Sequence, residues 1–253
     1  MPAEHAKAIV MDNLMTPVDK DQPFRFACNK KISCFNACCR DLNQTLMPYD
    51  ILRLKRHLQL SSDRFLAQYA NQHIGPETGL PIITLRPDSA HDRCCPFVTT
   101  DGCRVYAERP SSCRIYPVAR AISQNRKTGQ IAEHFALLKE PHCEGFSQNT
   151  SQTVREWTRD QGFDPYCRYN DMLMEIIRLI NRLIPGPLDL RRQHLFHLAL
   201  YDIDTFRERL FIKGLSTGAN LDDQTVERLK NDDEALLTFA HDWVKKELFG
   251  RMA

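Results

Sequence analysis

Apolar positions recur along this chain with two periods, and the period changes mark its elements. Ile51, Leu54 and Leu58 fall three and four residues apart behind Pro48, which predicts a helix over 48–58 opened by a proline in its first turn. A second helix follows, with Ser61 or Ser62 as its cap, Asp63 suited to the positive helix start, and Phe65, Leu66 and Tyr69 as its apolar stripe. The β-branched run Pro81-Ile82-Ile83-Thr84-Leu85, bounded by prolines, predicts an edge strand. Asp101-Gly102 between Phe97-Val98 and Val105-Tyr106 is a turn signal, and a second hairpin is expected from 118–122 and 131–135 around Lys127-Thr128-Gly129. Beyond residue 150 the period is helical. Thr150 or Ser151 can cap a helix through Trp157, and Asp164-Pro165 starts a long one that runs through 172–184 to the stop at Pro185-Gly186-Pro187. Helices are then expected over 189–201, over 204–212, and from Asp222-Asp223 to Phe249-Gly250. The fold class is mainly α (α+β): a part at 20–150 with a small antiparallel β element, followed by a helical C-terminal part at 151–253.

Composition narrows the classes. With 253 residues, 42% hydrophobic and 26% charged, the chain can bury a real core as one large or two small domains, and neither disorder nor a collagen-like structure fits. No apolar run reaches the roughly 18–20 residues of a membrane span. The start Met1-Pro2-Ala3-Glu4-His5-Ala6-Lys7 lacks the basic and apolar regions of a secretory signal, so the chain is expected in the cytoplasm, off the membrane. A net charge of +2 from 34 basic and 32 acidic residues is far from what a phosphate backbone selects, and no nucleic-acid partner is expected.

The ten cysteines change the picture. Cys28, Cys34, Cys38 and Cys39 form one group, Cys94, Cys95, Cys103 and Cys113 a second, and Cys143 and Cys167 stand apart. In a reducing compartment such clusters point to metal ligands, because converging thiolates repel one another unless a cation sits among them. Cys34 and Cys38 are spaced to face one way on a helical turn. The neighbours Cys38 and Cys39 point apart in helix or strand and rarely serve one tetrahedral ion, so two ions or a polynuclear cluster suit them better, and the pattern lacks the two C-x2-4-C pairs of a simple zinc finger. That favours iron, as an iron–sulfur cluster, over zinc. Arg25, Lys30, Lys31 and Arg40 flank the first group, and Arg93, Arg104, Arg109, Arg114 and Arg120 the second; they can offset thiolate charge, although a solvated basic face accounts equally well for any one of them. Pro110 can open a short helical turn that carries Cys113 inward, while Arg109 can pair with Glu108, Asp41 or the site. Cys167 reads as a small buried apolar residue, and Cys94 as a passenger beside Cys95. His134 and His142 read as ordinary residues, Ser111-Ser112 lacks a nucleophile-elbow context, and the Met172–Ile180 stretch, Trp157 and Trp243 read as core packing.

Several stretches together resemble one family. They are Phe26-Ala27-Cys28, Cys34-Phe35-Asn36-Ala37-Cys38-Cys39-Arg40, Cys95-Pro96-Phe97-Val98, the C-x-x-Y-x-x-R-P-x-x-C-R-x-Y-P run from Cys103 to Pro117, and His142-Cys143-Glu144-Gly145-Phe146. Over about residues 24–147 they are similar to the CxxCxxCC cysteine-cluster family, YkgJ-like proteins described as zinc or iron chelators. The first motif departs from the family pattern, with C-x5-C-x3-C-C in place of C-x2-C-x2-C-C. The resemblance implies eight metal ligands: Cys28, Cys34, Cys38, Cys39, Cys95, Cys103, Cys113 and Cys143. It implies a metal-binding protein, with iron or zinc as cofactor and the helical C-terminal part available to a protein partner. It also extends to flagellin lysine N-methylases, which makes a metal-dependent enzyme the alternative, and a structural zinc interaction module is the third reading. No glycine-rich loop follows a strand, and ten glycines give a Rossmann-type methyltransferase little material. No catalytic residue is assigned.

Overall fold

The computed structural model describes residues 14–40, 43–89, 93–125, 128–212 and 221–250. Strands β1 (Met15–Val18) and β2 (Pro23–Arg25) precede the first cysteine group, and helices α1 (Pro48–His57) and α2 (Ser62–Tyr69) follow it. Then come β3 (Ala70–Ile74), β4 (Pro81–Leu85), β5 (Val98–Thr99) and β6 (Gly102–Cys103). The short helix α3 (Ser111–Ile115) leads into β7 (Val118–Gln124) and β8 (Ile131–Leu138). β9 (Ser151–Thr153) passes into α4 (Val154–Asp160), and the remainder is helical: α5 (Asp164–Leu183), α6 (Leu190–Leu200), α7 (Ile203–Phe211), α8 (Asp223–Asn231) and α9 (Asp233–Phe249). Among the described residues the fold is mainly α with a helical C-terminal part, as the hydrophobic periods predict, and its strands form four small antiparallel sheets where one small β element was expected. Among the described residues no helix is long and apolar enough to cross a membrane. The N-terminal heptapeptide and Lys127 of the second expected turn lie outside the described residues.

The chain divides into two compact units, each assembled from separate stretches. The first takes the described residues up to Arg40, together with Phe97–Arg104 and Ser111–Asp164. The expected hairpin is its centre: β7 pairs with β8 over Val118↔Leu137 to Gln124↔Ile131. Beyond it β1, too short to announce itself in the sequence, adds a third strand at Val18↔Phe135 to Met15↔Leu138. Val18, Val118 and Leu137 turn inward onto Phe24, Phe26 and Val154. Phe26 is 2% exposed and meets Tyr116, Phe146 and Trp157 edge-on, with ring centroids 6.1, 5.3 and 5.5 Å away. Such contacts add about 0.5–1.5 kcal/mol each beyond area burial. The helix expected to start at Thr150 or Ser151 starts later. Residues 151–153 are drawn into β9 by pairing with β2, and Thr153 becomes the cap, exchanging hydrogen bonds with Glu156 in a capping box. The first hairpin is also shorter than expected: only Val98–Thr99 and Gly102–Cys103 pair, and Tyr106–Glu108 forms a 3-10 turn.

The second unit holds the helices. Pro48 opens α1, Asp50 accepts the Met47 N–H at 2.9 Å, and Ile51, Leu52 and Leu54 are buried. Ser61 precedes α2 without capping it through its side chain; Ser62 instead donates from N–H to Asp204 at 2.8 Å and from its hydroxyl to Asp202 at 2.6 Å, tying α2 to the start of α7. β4 is not an edge strand. It pairs with β3 on one side and on the other with Gln44-Thr45-Leu46, through Leu46 N–H to Ile83 O at 2.8 Å and Leu85 N–H to Gln44 O at 2.7 Å. Pro81 is tolerated because it is the first residue of the strand. The single helix expected from 222 to 250 is two helices. Asp232 leaves helical geometry (φ −117°, ψ 108°) and its carboxylate accepts the Glu234 and Ala235 N–H groups, capping α9. Lys55, 5% exposed, sits between Asp204 at 2.9 Å and Asp233 at 3.0 Å, and Arg207 bonds the same two carboxylates. A buried pair of this kind costs about 3–5 kcal/mol when one partner is removed.

Candidate metal centre

The first cysteine group occupies a string of reverse turns in the first unit. Asn29 accepts the Lys31 N–H at 2.9 Å, and successive turn bonds join Ile32 to Asn29, Phe35 to Ile32, Ala37 to Cys34 and Cys39 to Asn36. Asn36 sits at φ 69°, which short polar side chains tolerate, and the string ends in the 3-10 turn Ala37–Cys39. Cys34 and Cys38 are therefore carried on tight turns rather than on the α-helical turn that their spacing suggests. Ile32 is the buried anchor of this loop. Its other supports come from the turn at 140–146: Ser33 bonds Glu144, the Glu144 N–H donates to Cys34 Sγ at 3.3 Å, and the Ala27 N–H donates to Gly145 O at 3.1 Å. Gly145 is required there, since a Cβ would lie 2.9 Å from Phe26 Cδ2, closer still to Cε2, and 3.0 Å from the Ala27 oxygen.

This stitching gathers four of the expected ligands. Cys28 is exposed as a residue, but partial desolvation of its thiol pushes it up to about 11, aided by the charges of Cys38, Cys34 and Cys143. Cys38 is drawn the other way, down to about 7, chiefly because the Cys39 thiol hydrogen-bonds to it, and against the opposing effects of burial and the Glu140 carboxylate. The Cys143 N–H donates to Glu140 O at 2.9 Å, and the Tyr116 hydroxyl faces Cys143 and Glu140. Cys103 lies in the same unit on β6, and Cys113 is on α3, the short helix expected behind Pro110, which leaves it exposed rather than carrying it inward. Cys95 belongs to the second unit, beside Cys94, whose carbonyl accepts the Asp88 N–H at 2.8 Å. Cys167 is on α5 with its sulfur 3.9 Å from Asp171 Oδ2. None of the ten cysteines is in a disulfide. Among the described residues no three His, Cys, Asp or Glu side chains are already disposed as a ligand set for one ion.

Several of the flanking cations have partners outside the cysteine groups. Lys30 pairs with Asp101 and Arg120 with Glu133, Arg114 donates to the Gln161 carbonyl, and Arg104 and Arg109 lie over the Phe97 and Tyr106 rings. Glu108, one of the expected partners of Arg109, is bound by both ends of the Arg53 guanidinium at 2.7 Å; Asp41, another, lies outside the described residues. Sequence reasoning missed Tyr116, Glu140, Ser33 and Glu144 as neighbours of the cysteines. Tyr116 and Glu144 had a signal, their places in the Cys113-Arg114-Ile115-Tyr116-Pro117 and His142-Cys143-Glu144-Gly145-Phe146 runs.

The model of the CxxCxxCC family, described as a "Putative zinc- or iron-chelating domain", matches residues 27–153. The chain belongs to the CxxCxxCC family. No curated protein and no solved structure matches it. The matched span of this CxxCxxCC chain contains all eight expected ligand cysteines and ends on the α4 cap, Thr153. Its donor chemistry fits the family's metals: sulfur ligands suit both zinc and iron, and thiols within electrostatic reach of one another, with Cys28 held protonated, are the arrangement that a cation converts from repulsion to binding.

Proposed function

We propose that this CxxCxxCC protein chelates iron or zinc through the thiolates of Cys28, Cys34, Cys38, Cys39, Cys103, Cys113 and Cys143, with Cys95 as the eighth ligand. The observation that carries this reading is the match of residues 27–153 to a zinc- or iron-chelating domain, a span that holds all eight cysteines, with Cys28, Cys34, Cys38 and Cys143 close enough for their charges to act on one another. Without a cation those sulfurs oppose one another's ionisation; with one, each ionisation is favoured. Chelation is assigned to residues 20–150, and the helical region 151–253, which carries no expected ligand, is the part available to a protein partner. The adjacent Cys38 and Cys39 favour a polynuclear iron–sulfur centre over a single zinc ion, because their side chains diverge from neighbouring backbone positions.

The test is metal and acid-labile sulfide analysis with an absorption spectrum on protein purified without air, beside the double variant Cys38→Ser/Cys39→Ser and the single variant Cys95→Ser. Iron with sulfide and broad visible absorption, lost in the double variant, is the expected result. Colourless protein with one or two zinc ions keeps chelation and overturns the iron–sulfur preference. Protein without metal that takes up neither ion on reconstitution overturns chelation. Full metal content in Cys95→Ser removes Cys95 from the ligand set. Since Cys28 is protonated at neutral pH, uptake also releases protons and strengthens as pH rises.

A further inference from the structure

We propose that the Tyr116 hydroxyl donates a hydrogen bond to the Cys143 thiolate when metal is bound, which makes Tyr116 a positioning residue of the centre; the inference rests on the chelation reading above. The phenol ring is fixed from below, edge-on to Phe26 at 6.1 Å and 72°, and Tyr116 and Cys143 both pack on the Phe26 cluster. The hydroxyl oxygen is buried and has no hydrogen-bond partner. The Cys143 thiol and the Glu140 carboxylate are close enough to act on it.

A buried hydroxyl without a partner is costly, and such groups are rare enough to need a reason. Cys143 supplies one. As a thiol it is a weak acceptor, which leaves the phenol O–H unanswered; as a thiolate it accepts a charge-assisted bond. Glu140 is the competing acceptor, but its carboxylate also lies 3.7 Å from His142 Nε2 on the solvent side. The phenol keeps its proton throughout, and metal binding changes only the charge on the sulfur it faces. Residues that hydrogen-bond to ligands in this way orient them and tune the metal.

The experiment compares wild type with Tyr116→Phe, using cobalt(II) as a spectroscopic probe and zinc in chelator competition. The variant keeps the ring on Phe26 and removes only an oxygen that lacks a partner, so the metal-free variant is expected to melt at or above the wild-type temperature. Zinc is expected to be held about 10–100-fold more weakly, and the sulfur-to-cobalt charge-transfer band is expected to move to longer wavelength, because the sulfur lone pair loses a stabilising donor. A merely structural tyrosine would not produce a stable metal-free protein together with a shifted band. Unchanged zinc affinity with an unmoved band overturns the inference and leaves chelation standing. A wild type that binds neither cobalt nor zinc overturns chelation itself. Should Tyr116→Phe not fold, wild-type protein labelled with 13C at Cζ of its seven tyrosines gives the same decision. One resonance shifting on zinc titration supports the bond, and none shifting overturns it.

Discussion

Gly145→Ala places a methyl group where the ligand-bearing turn meets the aromatic core. The new Cβ would stand 2.9 Å from Phe26 Cδ2, closer still to Cε2, and 3.0 Å from the Ala27 carbonyl oxygen. Phe26 cannot retreat, because Tyr116, Phe146 and Trp157 hold its ring edge-on and it is 2% exposed. The Ala27 N–H is bonded to Gly145 O, so the two strands of chain have to part together. Overpacking of this kind costs about 1–3 kcal/mol. At about 2–4 °C per kcal/mol for a chain of 150–250 residues, the melting temperature should fall by roughly 2–12 °C. The displaced turn carries Cys143 two residues earlier, and its partner strand carries Cys28 one residue after Ala27, so metal affinity should fall as well. Thermal melts followed by near-ultraviolet circular dichroism, with and without zinc, read both effects. Phe26→Leu makes room for the methyl, so Gly145→Ala should cost less in that background than in the wild type. Gly145→Ala melting like wild type, or costing the same in both backgrounds, would refute the contact as the cause.

Three further outcomes follow from the helical unit and from the cap of α4. His241 on α9 is fully buried, its Nδ1–H bonded to Leu237 O at 2.8 Å and its Nε2 buried without a partner. Burial holds its pKa down to about 4 from 6.5, so between those values the unfolded chain binds a proton that the native state does not. Stability is then retained above pH 6.5 and lost as pH falls toward 4, by about 3 kcal/mol in all. His241→Leu should remove that part of the acid sensitivity in urea titrations at pH 7 and pH 4.5, and an unchanged pH slope would count against it. Gly79 sits at φ +68° with Leu188 O 2.8 Å from the Cβ position and Leu188 N closer, so Gly79→Ala should destabilise by more than ~1 kcal/mol; an unchanged melt contradicts the placement. Thr153→Ala should cost about 1 kcal/mol in chemical denaturation through loss of the α4 capping box, while Thr153→Ser should cost little; equal losses in the two variants would deny the cap its role.

The parts of the fold legible in the sequence are those with a local cause. Pro48, Asp164-Pro165 and Pro185-Gly186-Pro187 fix helix ends through proline's geometry alone, and α1, α5, α6 and α7 lie within a residue or two of expectation. The misreadings have causes distant in sequence. Ser151–Thr153 became a strand because Pro23–Arg25 lies beside it, and β4 lost its edge to Gln44-Thr45-Leu46. The break at Asp232 does have a local signal, an aspartate followed two residues later by glutamate, but the acidic run Asp232-Asp233-Glu234 masks it. The site divides in the same way. Cysteine spacing exposes the ligand candidates, whereas Ser33 with Glu144 and Ala27 with Gly145 are joined across more than a hundred residues, and no pattern along the chain connects them.

Those long-range contacts give the loop at 28–39 its character. It has little core of its own beyond Ile32, and its internal bonds are single turns, so it leans on the 140–146 turn and on the aromatic cluster around Phe26. The base is packed aromatic core, whereas the ligand-bearing turns above it bury little beyond Ile32. The strongest influences on Cys28 are burial and three other cysteines, all of which oppose its ionisation. Lys30 pairs with Asp101 and Arg120 with Glu133, and Arg114 donates to the Gln161 carbonyl. A thiol cluster whose members oppose one another's ionisation is stabilised by a positive charge placed among them. A metal ion of the kind that thiolates select supplies it, and its binding energy becomes part of the energy that orders the loop.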